Sequence, residues 1–569
     1  MTLTGCQKQL DKKLAVEVIN FCRHISGAGK MTAACLCYDF ASGDSDSKSI
    51  LEVLAVVDDF TPRLMNYFKV FGDRNVLVTA VGTWVLERDV DRGFLGEALA
   101  GRLIFPYSPL INAQYFKQLE TKLKKRLIYE LLENLVLDYP EISYQVYIKP
   151  EYFMYEAMIS RARVFPLLNY SLLEFSREDR RTANVELVLP AYIAGLRELE
   201  KDQVVRFSGE YVTVCSAFVE KVKSRNARFI NLFKSGQRTL FASLLSVFPQ
   251  LLSTVSQNAE FLSRFQRVED PKSVPKLRPS EQYLFVPTHN GMVPLSNSVG
   301  IEDFARKMFR TDVKTDVKVE DLGGILNDVF LVTVSTNSEE KRIVAKRFRD
   351  WSSFKWFPLT LWSVGTRSFV VLGRSRLERE YAINQVLRSK GFAVPKVLYV
   401  SGSERLIFKE YVEGEDLSET IREAAVTKTE YVLKSDLEIV TRAGELLAKV
   451  HAAGVALGDT KPENFMLNAD GEILLLDLEQ ASRKGDKVWD VAEFIYYAGH
   501  YVPMLVEARR AELIAKAFIK GYTKCCGDVR IVKRAGNPKY TKVFSVFTFP
   551  HIMLAFSALC RKADKPEAD

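Results

Sequence analysis

Residues 457 to 467 read Leu-Gly-Asp-Thr-Lys-Pro-Glu-Asn-Phe-Met-Leu, and this stretch has the composition of a phosphoryl-transfer loop. Such chemistry needs a carboxylate to orient an attacking hydroxyl and accept its proton. It also needs a cation for the transferring group and oxygen donors for a divalent metal. Asp459, Lys461 and Asn464 offer these groups on a loop stiffened by Pro462. A further acid stands 18 positions after Asp459, where the apolar run Ile473 to Leu476 ends at Asp477. A hairpin of that length carries Asp477 back to the phosphates. A single Asp or Lys-Pro pair is ordinarily a solvated loop, so the inference rests on the ordered set.

The elements that must position this set lie on either side of it. Ser435 and Glu438 have capping-box spacing, and an amphipathic run then continues to Val450 and stops at His451 to Gly454. The run Asp459-x-Lys-Pro-Glu-Asn464 resembles the catalytic loop of serine/threonine protein kinases. The resemblance extends over roughly residues 317 to 524. It implies that Lys346, in Arg342 to Phe348 (RIVAKRF), grips nucleotide phosphates. Glu380, with Glu378 as competitor, would be the helix carboxylate holding that lysine. Gly323 and Gly324 would form a short phosphate-covering turn, although the full Gly-x-Gly-x-x-Gly is missing. Leu406 to Gly414 (LIFKEYVEG) is similar to the hinge, where backbone groups near Glu410 and Val412 meet adenine.

Departures from the common pattern narrow the branch. Leu457 and Gly458 stand where His and Arg are usual, and the metal loop reads Asp477-Leu-Glu-Gln480. Asp490, in VWDVAEF, looks like the buried acid of the following helix and comes 13 positions after Asp477. A conventional activation segment does not fit in that interval. These features resemble RIO-like and KEOPS-type atypical kinases, with lipopolysaccharide-core and aminoglycoside or choline kinases as more distant relatives. The resemblance implies a bilobal domain, ATP, Mg²⁺, and serine/threonine transfer, autophosphorylation or ATPase-coupled work. Asp459 and Lys461 would be catalytic, and Asn464 and Asp477 would hold the metal.

The whole chain has 569 residues, which allows about two to four domains. It is 47% hydrophobic and 26% charged, the balance of a globular protein. The net charge of +8 permits an acidic partner without demanding one. Eight scattered cysteines and five isolated histidines lack zinc-site spacing, as expected of reduced thiols in a cytoplasmic protein. The uncharged run Val543 to Cys560 contains Pro550 and His551 and is barely long enough to span a bilayer, so a buried terminal element is expected.

The N-terminal half is less explicit. Residues 1–105 read as a small α/β domain, with strands at Leu51 to Val57 and Asn75 to Val81 and a helix over Phe94 to Ile104. Residues 106–266 are mainly helical, 267–297 form a Pro- and Ser-rich linker, and 298–569 form the kinase-like domain. Ser42 to Asp59 faintly resembles a nucleotidyltransferase, but the carboxylate positions fall on Ile50 and Glu52, so two-metal chemistry would fail. Lys221 to Arg238 and Lys122 to Arg126 mix basic residues in a way that suits RNA, the plainer reading being solvated helix faces. The insertion Asp350 to Gly373 carries Trp351, Trp356 and Trp362, a packing element or a partner platform, followed by Arg374, Arg376 and Arg379, placed to face phosphates.

The expected protein is therefore α+β: a bilobal kinase-like C-terminal domain behind a small α/β domain and a helical region. Its expected activity is Mg-ATP-dependent phosphoryl transfer to a protein hydroxyl. The alternatives are an ATP-binding RNA- or complex-assembly factor with weak turnover, or a small-molecule kinase.

Overall fold

A computed structural model of the chain describes residues 12–27, 29–38, 51–58, 64–162, 166–224, 279–309, 316–323, 327–335, 340–350, 370, 372–503, 508–544 and 548–563. The architecture is mixed α+β, in two compact units, Met1–Phe285 and Val286–Asp569.

In the first unit, helix α1 (Lys12–Ser26) packs on a sheet of order β3-β4-β2-β1-β5. Its strands are β1 (Lys30–Cys37), β2 (Leu51–Asp58), β3 (Leu64–Phe71), β4 (Arg74–Gly82) and β5 (Tyr107–Ile111). β2 and β4 run parallel, with Leu51 opposite Val76. Val18, Cys22, Leu36, Val53, Ala55, Val76 and Val78 form the core beneath α1. Ile50 lies outside the described residues. Glu52 is engaged by Arg102, Nε to Oε1 at 2.6 Å.

The helix expected over Phe94 to Ile104 is not formed over most of that length. Helix α2 (Thr83–Arg92) precedes it, and only Ala100–Ile104 is helical, as a 3₁₀ turn. The reason is Asp89, fully buried on α2. Its carboxylate accepts the backbone N–H groups of Leu95, Glu97, Leu99 and Ala100 at 2.8–3.0 Å. Those donors are thereby satisfied without helical bonds, so the segment wraps the acid instead.

Helix α3 (Ala113–Asp138) contains the basic run 122–126, and its charges are already neutralised. Lys122 pairs with Asp91 at 2.6 Å, Lys125 with Asp202 at 2.8 Å and Arg126 with Glu97 at 2.7 Å. Lys124 is fully buried against Glu120 at 2.6 Å, so this run is not a uniformly solvated basic face. Of Lys221 to Arg238, only residues 221–224 are described.

The boundary between the units falls inside the strand Leu284–Thr288, within the stretch read as a linker, and the neighbouring strand Gly291–Pro294 belongs to the second unit. An antiparallel sheet follows, in the order β6-β7-β8-β10-β9. It comprises β6 (Asp316–Asp321), β7 (Asn327–Ser335), β8 (Glu340–Phe348), β9 (Val397–Ser401) and β10 (Leu406–Glu410). Helix α4 (Gly373–Ser389) connects β8 to β9 in sequence. The remainder is helical around a small sheet of Gly414–Asp416, β11 (Phe465–Asn468) and β12 (Ile473–Leu475).

Three long helices frame the candidate loop: α5 (Glu430–Ala452), α6 (Lys487–His500) and α7 (Ala508–Cys525). α5 starts a turn and a half before the expected capping box. Thr429 is its N-cap position, and Ser435 and Glu438 lie inside the helix. Of the preceding Tyr431 to Lys434, Leu433 packs against the main core, while Tyr431 is exposed. α5 contributes Val440, Ala443, Leu447, Ala448 and Val450 to the main core. A fully buried valine or leucine side chain contributes about 1.5–3 kcal/mol. No helix among the described residues is long and apolar enough to cross a membrane. The run 543–560 is split between helices Pro538–Phe544 and Pro550–Lys562.

Candidate active site

The loop bearing Asp459 is fixed from below by Asp490, a fully buried acid on α6. Its carboxylate accepts Leu457 N at 2.6 Å and Gly458 N at 2.7 Å, and lies 3.0 Å from His451 Nε2. His451 Nδ1 in turn meets the Tyr522 hydroxyl at 2.7 Å. Gly458 has φ +76°, a conformation that costs glycine little, which explains its presence beside the acid. Glu493, one turn beyond Asp490, accepts Thr460 N at 2.7 Å and Trp489 Nε1 at 3.1 Å. The loop is thus held by two buried carboxylates of one helix.

Above that support the predicted groups converge. Lys461 Nζ lies 3.2 Å from Asp459 Oδ1, and Asp459 holds the lysine above its ordinary range. Asn464 donates from Nδ2 to the Asp459 carbonyl at 2.9 Å, leaving its Oδ1 as an oxygen donor. Leu476 N donates to the Asn464 carbonyl at 2.8 Å, which ties the chain before Asp477 to the candidate loop. Asp477 itself has φ +44°, an uncommon conformation for a non-glycine residue and a mark of functional sites.

Lys346 reaches the same place from β8. Its Nζ lies 2.7 Å from Asp477 Oδ1, 3.0 Å from Glu479 Oε2 and 3.7 Å from Glu380 Oε2. Burial opposes its charge, yet Asp477, Glu479 and Glu380 hold it above the usual lysine range. Glu380, rather than Glu378, faces the lysine; Glu378 pairs with Arg374 at 3.4 Å. Arg376 does not face phosphates. It is fully buried, bonded to Glu479 at 3.0 Å and to the Arg349 carbonyl. A guanidinium on this inward face of α4 is retained by the acid it neutralises.

Gly323 occupies the turn between β6 and β7, its N–H bonded to Asp321 at 2.8 Å, and Gly324 lies outside the described residues. Glu410 ends β10, and its N–H donates to the Lys396 carbonyl at 3.0 Å, so that amide is already committed within the protein. Val412 follows in the connection to Gly414–Asp416. Residues 351–369 of the aromatic insertion, all three tryptophans included, lie outside the described residues. The neck of the insertion is closed by Asp350, which accepts Gly373 N at 2.7 Å and pairs with Arg405 at 2.6 Å.

Two charged residues of this site were not singled out by sequence reasoning as functional: Glu479 and Lys409. Glu479 had a signal in its place two residues after Asp477. Lys409 had one as a lone cation in the apolar strand Leu-Ile-Phe-Lys. From Asp477 the chain reaches α6 through residues 478–486 alone, with Ala456 bridged to Ser482 on the way, a connection too short for a conventional activation segment.

Comparison with known proteins agrees with this geometry. Residues 335–497 match the model of the lipopolysaccharide kinase (Kdo/WaaP) family. Over 160 residues the chain is 28% identical to the KEOPS complex subunit Bud32 of Pyrococcus abyssi (strain GE5 / Orsay), covering 28% of this chain and 67% of that protein. The lipopolysaccharide kinases, expected to be more distant relatives, are thus the family whose model matches. The family match spans the segment that carries Lys346, Glu380, Asp459, Asn464 and Asp477. The C-terminal region of this chain is therefore similar to the atypical kinases of the protein-kinase superfamily, a likeness that supports a phosphotransferase.

Proposed function

We propose that the chain is an Mg-ATP-dependent atypical kinase whose bilobal C-terminal domain transfers the γ-phosphoryl group to a protein serine or threonine hydroxyl, its own included. The observation that carries this reading is the convergence of Asp459, Lys461, Asn464, Asp477 and Lys346 through bonds of 2.7–3.2 Å. Asp459 orients the acceptor hydroxyl and takes its proton. Lys461 stabilises charge on the transferring group, and Lys346 grips the inner phosphates. Backbone groups of the chain from Glu410 to Val412 meet the adenine edge. Asn464 Oδ1 and the Asp477 carboxylate are hard oxygen donors, which suit Mg²⁺. When bound, Mg²⁺ neutralises phosphate charge and fixes the nucleotide for in-line attack.

A second reading takes a small-molecule or saccharide hydroxyl as acceptor, favoured by the match to a lipopolysaccharide kinase family. γ-Labelled ATP, incubated with the protein alone and with cell extract, separates the two. Label in protein supports the first reading, and label in a low-mass or lipid-extractable product supports the second. Asp459→Asn is expected to lower transfer by about 10²–10⁴-fold in either case, the range for losing an acid/base group. Transfer unchanged in that variant contradicts the role given to Asp459.

A further inference from the structure

The buried floor of the site holds two lysines and one arginine against three acids. The exposures are 4% for Lys346, 7% for Lys409, 0% for Arg376, 1% for Glu380 and 2% for Glu479, with Asp477 at the rim. Three cations face three carboxylates, so the question is which is bonded to which. Glu380 spends both oxygens elsewhere than on Lys346. Its Oε1 accepts Lys409 Nζ at 2.7 Å, and its Oε2 accepts Leu478 N at 2.7 Å. Lys346 Nζ stands 3.7 Å from Oε2, beyond hydrogen-bond range. Glu479 instead gathers three donors: Lys346 Nζ at 3.0 Å and Asn327 Nδ2 at 2.7 Å on Oε2, and Arg376 Nη1 at 3.0 Å on Oε1.

Lys346 Nζ also lies 2.7 Å from Asp477 Oδ1 at the rim; of the two buried glutamates, we infer that Glu479 is the one that positions Lys346, while Lys409 holds Glu380 in a separate ion pair. The phosphate-gripping lysine and the acid assigned to the metal are then set by one short segment, Asp477 to Glu479. Helix α4 contributes Arg376, which steadies Glu479, and Glu380, which anchors the Leu478 amide. A displacement of α4 would therefore act on Lys346 only through that segment.

This inference rests on the ATP-dependent activity proposed above. It is tested on the full chain by comparing kcat and KM for Mg-ATP in Glu479→Gln, Glu380→Gln and Glu479→Gln/Lys409→Met. A mispositioned group of this kind costs up to about 10²-fold. Glu479→Gln is expected to raise KM and lower kcat/KM by about 10–10²-fold, more than Glu380→Gln does. Adding Lys409→Met frees Glu380 to turn to Lys346 and is expected to recover part of the loss. A purely structural role for Glu479 would not move KM in this way or be rescued by a change at Lys409. If Glu479→Gln does not fold by circular dichroism, Glu479→Asp takes its place, its shorter side chain drawing the carboxylate back from Lys346, with the same order of losses expected. A larger loss in Glu380→Gln than in the Glu479 variant, or no rescue by Lys409→Met, overturns the inference. A wild-type protein inert towards Mg-ATP overturns the proposed function, and this inference with it.

Discussion

Asp490 shows how a departure in sequence is absorbed by geometry. Leu457 stands where the wider superfamily pattern has a histidine, and a leucine side chain offers no hydrogen bond. In the fold, His451 of α5 lies 3.0 Å from Asp490 Oδ2, while Leu457 contributes its backbone N–H to the same oxygen. The buried acid takes an imidazole contact from His451, earlier in the chain. Removing one member of such a set leaves the rest buried without a partner, at a cost of about 3–5 kcal/mol. Asp490→Asn keeps one acceptor oxygen, so a loss near the lower end, about 3 kcal/mol, is expected in denaturant unfolding, together with reduced kcat. Unchanged stability and turnover would show that the loop is held by other contacts. At this scale the residue types were readable and their partners were not. Asp459, Lys461, Asn464 and Asp477 announce themselves by order and spacing. Which acid takes which lysine among Glu380, Glu479, Lys346 and Lys409 is fixed by strand register and side-chain reach, which spacing does not encode.

Among the elements, α5 and α7 pack so closely that their backbones touch. A Cβ at Gly521 of α7 would overlap the Thr441 carbonyl oxygen of α5, and one at Gly444 of α5 would overlap the Phe518 carbonyl oxygen. Overpacking of this sort costs about 1–3 kcal/mol, occasionally more. Gly521→Ala is expected to lose at least that much in denaturant unfolding, and a neutral result would mean the two helices separate freely. α5 also carries Asp436, whose carboxyl is raised to about 6 by burial and by Glu423. A folded value above the ordinary 3.8 means that the fold prefers the neutral acid. Its destabilising effect is fully present above about pH 6 and disappears below about pH 3.8. Asp436→Asn should therefore raise the thermal midpoint at pH 7 and leave it near wild type at pH 4. An equal shift at both pH values would contradict this. The strands 51–57 and 75–81 and the body of α5 were readable because apolar spacing decides them. The start of α5 and the turns of residues 94–99 were not: the helix has its N-cap position at Thr429, ahead of its cap signal, and Asp89 captured four backbone donors from a distance in sequence.

For the whole molecule, composition and the second half's motifs anticipated an α+β protein with a kinase-like C-terminal region, and the family match falls on that region. The first unit was harder to read. Its parallel β2–β4 pair and α3 are ordinary core elements, and no motif in it dictates a ligand. The basic run in α3 looks like a polyanion site in sequence but is spent on Asp91, Glu97, Glu120 and Asp202 in the fold. Charge alone is a weak guide when acids distant in sequence are near in space. The account as a whole stands on Asp477, which joins Lys346 to the loop of Asp459 and Asn464. Its most direct test is Mg-ATP turnover by the purified full chain, wild type against Asp477→Ala, with circular dichroism confirming that both are folded. The account predicts turnover in the wild type and only background in the variant. Equal turnover in the two would contradict it.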